Sequence, residues 1–228
     1  MVALTPIENE KHGELTRKYG NLAAMCPSRY NQIMANIELG EFSLDRMERA
    51  IELVRERLMR STAALDRCGI PHAVVGGCAV AHWVSSVDES AARYSNDVDI
   101  LIRRQDLPKV TQALKTAGFL NYPEAADVFI ESPDVKLHSA VKFVFAGEMQ
   151  HSGDFCPVPD VDQSERSKHF QVLSLEPLVR MGLAAYRRED RMLLRDMLDV
   201  GLMDESWLAT LPIVLAARLK ELIDTPDG

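Results

Sequence analysis

The chain has little of what stabilises small secreted proteins or crosses membranes. Its 228 residues include four cysteines, Cys26, Cys68, Cys78 and Cys156, and no two of them have the C-x-x-C spacing. This argues against a disulfide framework or a zinc site and favours reduced, mostly structural thiols. No apolar run approaches the ~20 residues of a membrane span, and MVALTPIENEKHGE lacks the apolar core of a signal peptide. We therefore expect a cytoplasmic protein with no membrane partner.

An excess of basic residues is also missing. The 26 Lys and Arg residues are outnumbered by 34 Asp and Glu residues, which gives a net charge of −8 and a pI of about 5.3. A general nucleic-acid-binding surface needs a basic face, so general DNA binding is not expected, although a locally basic pocket is compatible with this composition. The length suits one domain, or a small domain with helical appendages.

The most informative pattern is a pair of acids at the start of a predicted strand. Asp97 and Asp99 flank Val98, and the apolar run continues to Ile102. Because residues i and i+2 of a strand share a face, both carboxylates should project together while Val98 turns into a core. Two carboxylates this close repel each other unless they are neutralised, and Mg²⁺ does so through oxygen ligands. The pair predicts a site for Mg²⁺ or Mn²⁺; solvated acids at a strand start are the alternative.

Two adjacent glycines, Gly76 and Gly77, follow a short apolar run and precede a helix-competent segment. Glycine lets a backbone approach a ligand closely, and the amides that open a helix bind anions. The pair therefore predicts a tight strand-to-helix turn that also presents amides to phosphates. A triphosphate held by this turn, and bridged by metal to Asp97 and Asp99, is the most economical interpretation.

Together these motifs resemble a known signature. Gly76-Gly77 followed by Asp97-Val98-Asp99-Ile100 is similar to the signature of the DNA polymerase β-like nucleotidyltransferase superfamily. The lead-in Arg93-Tyr94-Ser95-Asn96-Asp97 resembles the Arg-x-Thr-x-Asp of small bacterial nucleotidyltransferases that include abortive-infection toxins. Asp97 lies twenty positions after Gly77, several more than is usual, and residues 85–92 look like the insertion. The likeness covers roughly residues 44–225.

The resemblance implies an α+β fold with a small mixed sheet backed by helices and a C-terminal helical subdomain. Periodicity and turn signals agree. The predicted spans are short helices over 9–19 and 29–39, a helix over 43–68, strands over 73–75, 98–102, 127–131 and 140–145, a helix over 107–117, and helices over 175–188, 190–200 and 206–222. We expect an accessory helical segment at 1–42, a nucleotidyltransferase core at 43–150 and a helical cap at 151–228.

The implied activity is Mg²⁺-dependent transfer of a nucleoside monophosphate from an NTP to a hydroxyl or phosphate acceptor, with release of pyrophosphate. The candidate site has two acids as metal ligands and catalytic residues, and five residues that would bind the nucleotide: Asp97 and Asp99, then Gly76, Gly77, Arg93, Lys142 and Arg195. The acceptor, whether a small molecule, a protein side chain or an RNA end, stays open, as does an antitoxin partner or a homodimer.

Two departures from the superfamily pattern keep other functions open. Active members usually carry a third acid on a later strand, and Lys142 stands at that place. A protonated lysine cannot ligate Mg²⁺, although it can pair with an aspartate or contact a phosphate. Glu148, Asp127 and Glu131 are possible substitutes, and Gly182 stands where related tails often carry a lysine. These departures favour a degenerate member that binds nucleotide or a partner without turnover; a toxin-like member acting on tRNA or protein is a third possibility.

Overall fold

A computed structural model describes residues 27–132 and 139–225, with the side chains of residues 44–132 and 139–225. The chain divides into two units, Met1–Arg49 and Ala50–Gly228. The short helix predicted over 9–19 lies outside the described residues. Helix α1 (Pro27–Arg67) begins with a proline at its first position and runs through Gly40 and Ser43. The predicted break at Gly40 is therefore wrong, because one glycine costs a helix only about 1 kcal/mol.

Strands and helices follow α1 along the rest of the described chain. Their bounds are β1 (His72–Val75), α2 (Gly76–Val87), β2 (Val98–Ile102), α3 (Leu107–Thr116), β3 (Leu120–Asn121), β4 (Val128–Ile130), β5 (Val141–Phe145), β6 (Ser164–Arg166), β7 (Gln171–Leu173), α4 (Leu175–Ala185), α5 (Arg188–Asp199) and α6 (Ile213–Asp224). The described strands form one sheet in the order β3-β4-β5-β2-β1-β7-β6. The chain therefore has a mixed α/β fold.

The sheet is mixed because its central strands run in both directions. Strand β2 is antiparallel to β1 and parallel to β5, and β1 is also parallel to β7. The antiparallel strands β3, β4 and β6 complete the two edges. Within residues 151–225, the described part of the predicted cap, the chain thus contributes β6 and β7 to the sheet as well as three helices.

The central strands β1 and β2 are mostly apolar and buried. The side chains of β1 and most of those of β2 are buried, and Asp99 is the half-buried exception in β2. Helix α2 packs against β1, β2, α4 and α5, and α4 packs against both α5 and α6. Within the described residues, none of the helices combines the length and apolar content that a membrane crossing requires.

Most predicted elements are found, and the misses have local causes. The strand predicted over 98–102 has those bounds, whereas β3, β6 and β7 were not predicted, since each has only two or three residues. Helix α4 ends earlier than predicted, at Ala185, and Tyr186 follows with φ 52°. Arg188 opens the next helix. Helix α6 starts only after Pro212, and a 3₁₀ segment, Glu205–Ala209, precedes it.

Candidate functional site

A cleft of about 770 Å³ opens where β1 turns into α2. Its walls are Gln150, His151, the turn itself, the segment that leads into β2, two residues of β5, one residue of α4, and one face of α5 with the residue before it. Six of the seven predicted site residues line it: Gly76, Gly77, Arg93, Asp97, Asp99 and Lys142. The described structure therefore brings together the glycine pair and the aspartate pair, although they are twenty positions apart in the sequence.

The glycine turn lies directly against Asp99. Strands β1 and β2 pair Val75 with Asp99, so the next residue, Gly76, passes beside that carboxylate. Gly76 has φ +62°, and a Cβ at this position would lie 2.5 Å from Oδ2 of Asp99. A Cβ on Gly77 would lie 2.7 Å from Cβ of Ser95. The turn thus needs glycine at both positions, and it leaves the first amides of α2 beside the cleft.

Lys142 neutralises one of the two aspartates. It stands opposite Asp99 in the parallel pairing of β2 and β5, and its Nζ donates to Oδ2 of Asp97 at 2.6 Å. The side chains of Lys142 and Asp97 are 37% and 23% exposed. Oδ1 of Asp97 is buried and has no hydrogen-bond partner among the described residues. The two oxygens of the Asp97 carboxylate therefore differ: Oδ2 accepts a hydrogen bond from the Lys142 ammonium, and Oδ1 has no partner in the part of the chain that the structure describes.

Burial dominates the electrostatics of Asp99 and its neighbour Cys78. Burial raises the pKa of Asp99 to about 6, an effect that Lys142 opposes and Asp97 reinforces. Burial also raises the pKa of the Cys78 thiol to about 12, with the two aspartates adding to it. Sγ of Cys78 donates to the backbone oxygen of Asp97 at 3.3 Å. The thiol thus stays protonated and acts as a hydrogen-bond donor, not as a nucleophile.

The residues present fit one divalent cation. Among the described residues, no group of three or more His, Cys, Asp or Glu side chains is arranged to hold a metal ion. Magnesium, however, is commonly bound through one or two carboxylates and takes its remaining ligands from phosphates and water. The buried Oδ1 of Asp97, unpartnered among the described residues, and the carboxylate of Asp99 would supply these one or two carboxylate ligands.

The possible substitutes for a third acid are placed elsewhere. Glu131 pairs with Arg57 at 2.8 Å and with Arg60, and Glu148 accepts from Arg104 at 2.5 and 2.6 Å. Asp127 borders a second cavity of about 340 Å³, which adjoins the cleft beside Lys142. None of these three acids belongs to the described residues that line the cleft.

The cleft also contains a basic group that was not predicted. Nη1 of Arg187 lies 3.1 and 3.0 Å from the two ring nitrogens of His151, and its Nε donates to Oδ2 of Asp190 at 2.9 Å. All three residues line the cleft. Arg187 precedes the first residue of α5, immediately after the left-handed Tyr186. In the sequence it is one of two adjacent arginines, and helical periodicity does not distinguish them.

Arg195 does not reach the cleft. Its Nη2 donates to the backbone oxygens of Leu222 and Thr225, at 2.5 and 2.8 Å, and it is absent from the described residues that line the cleft. The neighbouring Asp196 does line it, since successive residues of a helix point about 100° apart. The role predicted for Arg195 in nucleotide binding is therefore replaced by a structural one, attaching α5 to the end of α6.

Gly182 has a packing role in the helical part of the structure. A Cβ at this position in α4 would lie 3.3 Å from Cδ2 of Leu194 in α5. The glycine therefore permits close packing of α4 against α5. This packing explains why position 182 has a glycine, although the resemblance suggested a lysine there.

No protein-family model matches the chain, and no curated protein matches it. The functional proposal therefore rests on the geometry of the cleft.

Arg93 supports the cleft wall through Asp196, and this pair gives a testable coupling. Nε of Arg93 lies 3.0 Å from Oδ1 of Asp196, whose side chain is 6% exposed and whose pKa is raised by burial. Arg93 is 61% exposed, so water screens the pair. We expect Arg93→Gln to lower the free energy of unfolding at pH 7 by about 1 kcal/mol.

Urea denaturation of Arg93→Gln, Asp196→Asn and the double variant measures this coupling. The double variant should be no less stable than Asp196→Asn alone. Once position 196 carries a neutral amide, removing the guanidinium of Arg93 breaks no ion pair. Strictly additive losses would show that the pair does not contribute to stability.

Proposed function

We propose that the chain is a Mg²⁺-dependent nucleotidyltransferase with a polymerase β-like core made of β1, α2, β2 and β5. It would transfer a nucleoside monophosphate from an NTP to an acceptor hydroxyl or phosphate. The observation that supports this most is that Gly76 lies against Asp99, with Asp97 in the same cleft. A turn presenting amides beside two convergent carboxylates is the arrangement that a metal-chelated triphosphate requires.

Each residue of the cleft has a distinct task in this proposal. The backbone at Gly76 and Gly77 presents amides to the phosphates, and Lys142 and Arg187 both place positive charge in the cleft. Asp97 and Asp99 hold the cation, which when bound would offset phosphate charge and orient the leaving pyrophosphate. The acceptor oxygen forms a bond to the α-phosphorus as the bond to the bridging oxygen breaks. Pyrophosphate leaves, and a hydroxyl acceptor loses its proton to solvent.

The second cavity offers space for the acceptor. It adjoins the cleft and shares Asp99, Lys142 and His151 with it. Lys142 therefore lies between two connected spaces. An acceptor entering the smaller space would approach Asp99 and Lys142 from the side of β4 and β5, with the nucleotide on the other side.

The transfer reaction can be tested directly. The protein is incubated with Mg²⁺, α-labelled NTPs and acceptor fractions from a cell extract, namely small molecules, protein and RNA. We expect wild type to label one fraction, whereas Asp97→Asn and Asp99→Asn should not. Asp160→Asn is the matched control, because Asp160 pairs with Arg103 at 2.6 Å and is not among the described residues lining the cleft. Equal labelling by all four proteins would contradict the proposal.

A second candidate function is supported by the ion pair in the site. The ammonium of Lys142 is bound to Asp97 where active superfamily members carry an acid, which favours a protein that binds nucleotide without turnover. In that case an NTP should raise the melting temperature of wild type, while none of the fractions becomes labelled.

A further inference from the structure

The position of Lys142 is fixed by the sheet. Its strand, β5, is paired on one side with β2, where Asp99 is its partner, and on the other with β4, where Val128 is its partner. Its backbone therefore cannot move away without breaking two ladders, and its side chain bridges the short distance to Asp97. The ammonium contacts Oδ2 of Asp97 at 2.6 Å and faces both the cleft and the adjoining cavity.

The charges around this ammonium limit how many further cations can bind. Asp97 and Asp99 together carry two negative charges when both are ionised, and Lys142 offsets one of them. One divalent cation would leave the group with a single positive charge. A second would have to bind against the repulsion of both the first cation and the ammonium, at separations of about 4 Å where such interactions are strong. It would also have to take Oδ2 of Asp97 from Lys142.

We propose that the ammonium of Lys142 is a built-in cation that occupies one cation position at the aspartate pair. The site then takes a single divalent cation, on the free Oδ1 of Asp97 and on Asp99. Lys142 is a positioning residue in this arrangement, because it holds Asp97 and competes with a further metal ion. The inference rests on the proposed function, since the divalent cation is the one that would accompany the nucleotide.

The competition is tested with metal alone. Free Mn²⁺ is measured by electron paramagnetic resonance while it is titrated into nucleotide-free wild type, Lys142→Met and Lys142→Arg. The methionine is unbranched and one atom shorter than the lysine, so it keeps most of the volume of the side chain and removes its charge. We expect Lys142→Met to bind the tightest Mn²⁺ about tenfold more strongly than wild type, because one negative charge and one oxygen become available. Lys142→Arg keeps the charge and should resemble wild type.

Two controls assign the effect to this site. Asp97→Asn combined with Lys142→Met should lose the gain, which separates the site from the rest of an acidic surface with a net charge of −8. Melting temperature is the second readout: Mn²⁺ should stabilise Lys142→Met more than it stabilises wild type. Lys142→Gln replaces the methionine variant if that variant does not fold.

The stoichiometry is tested with a non-hydrolysable NTP analogue. Wild type should bind one Mn²⁺ per chain in the ternary complex, and two would overturn the inference. Unchanged Mn²⁺ affinity in Lys142→Met, or a gain of equal size in Lys142→Arg, would overturn it as well. The metal-only titration needs neither nucleotide nor turnover. Failure of the proposed function would appear instead as a wild type that neither binds the analogue nor labels an acceptor.

Discussion

Asp99→Asn is expected to raise the free energy of unfolding of the ligand-free protein by about 3 kcal/mol at pH 8. Burial raises the pKa of Asp99 to about 6, whereas an unfolded aspartate has a pKa of about 3.9. At pH 8 the folded protein must therefore keep a charge in a place that disfavours it. Asparagine has nearly the same shape and carries no charge, so the penalty is removed.

The pH dependence fixes the sign of this effect. Between about pH 4 and pH 6 the folded state binds more protons at Asp99 than the unfolded state, so this group makes the protein less stable as the pH rises. Above pH 6 its penalty is fully present, and below pH 4 it disappears. The stability difference between Asp99→Asn and wild type should accordingly be large at pH 8 and small at pH 4.5. Taking this difference cancels the contributions of other groups that titrate in the same range.

Asp97→Asn should shift stability in the opposite direction. It removes the partner of the Lys142 ammonium, which is 37% exposed, so the expected loss is about 1 kcal/mol at pH 8. Chemical denaturation of wild type and both variants at pH 8 and pH 4.5 measures the contrast. Two neighbouring aspartates that change stability in the same direction at pH 8 would contradict the electrostatics described for the cleft.

This expected contrast is the reason for proposing a ligand-binding role for Asp99, in place of a structural one. A carboxylate that destabilises the folded protein at neutral pH is costly to keep, and asparagine would fit the same space. Asp97 has a structural explanation in its ion pair with Lys142. Asp99 lies where a Cβ on Gly76 would collide with its Oδ2, and burial raises its pKa. A ligand that needs the negative charge is the simplest reason for its presence.

The parts of the site that are local in sequence could be predicted, and those that depend on packing could not. The two-residue period of a strand predicted that Asp97 and Asp99 project to the same side, and the glycine pair predicted a strand-to-helix turn. The partner of Lys142 depends on the register of β5 against β2, which one sequence does not reveal. The resemblance to the superfamily pattern had singled out position 142 only as the place where a third acid was expected.

The helical part shows the same distinction. Arg195 and Asp196 are adjacent in the sequence, and which of them faces the cleft depends on how α5 packs against α6. Arg187 reaches the cleft because α4 ends in a left-handed residue, Tyr186, and periodicity gave no sign of that end. Arg57 of α1 is buried and pairs with Glu131, which lies 74 positions later in the sequence. Long-range ion pairs such as this one require the tertiary structure.

Gly76→Ala should be the most damaging small substitution in the cleft. Its φ of +62° disfavours alanine, and the new Cβ would lie 2.5 Å from Oδ2 of Asp99, which has to move. We expect a loss of about 3 kcal/mol or more in the free energy of unfolding, together with loss of nucleotide binding. Urea denaturation and nucleotide-dependent melting temperature measure the two effects.

Gly69→Ala separates backbone strain from the contact with Asp99. Gly69 has nearly the same φ, +61°, and a Cβ there would have nothing within 4 Å, so this variant should lose only about 1 kcal/mol. Adding Asp99→Ala to Gly76→Ala removes the atom that collides and should recover the difference between the two glycine variants. Equal losses in Gly76→Ala and Gly69→Ala would mean that the turn does not lie against the carboxylate. The phosphate amides and the proposed metal ligands would then not share one site.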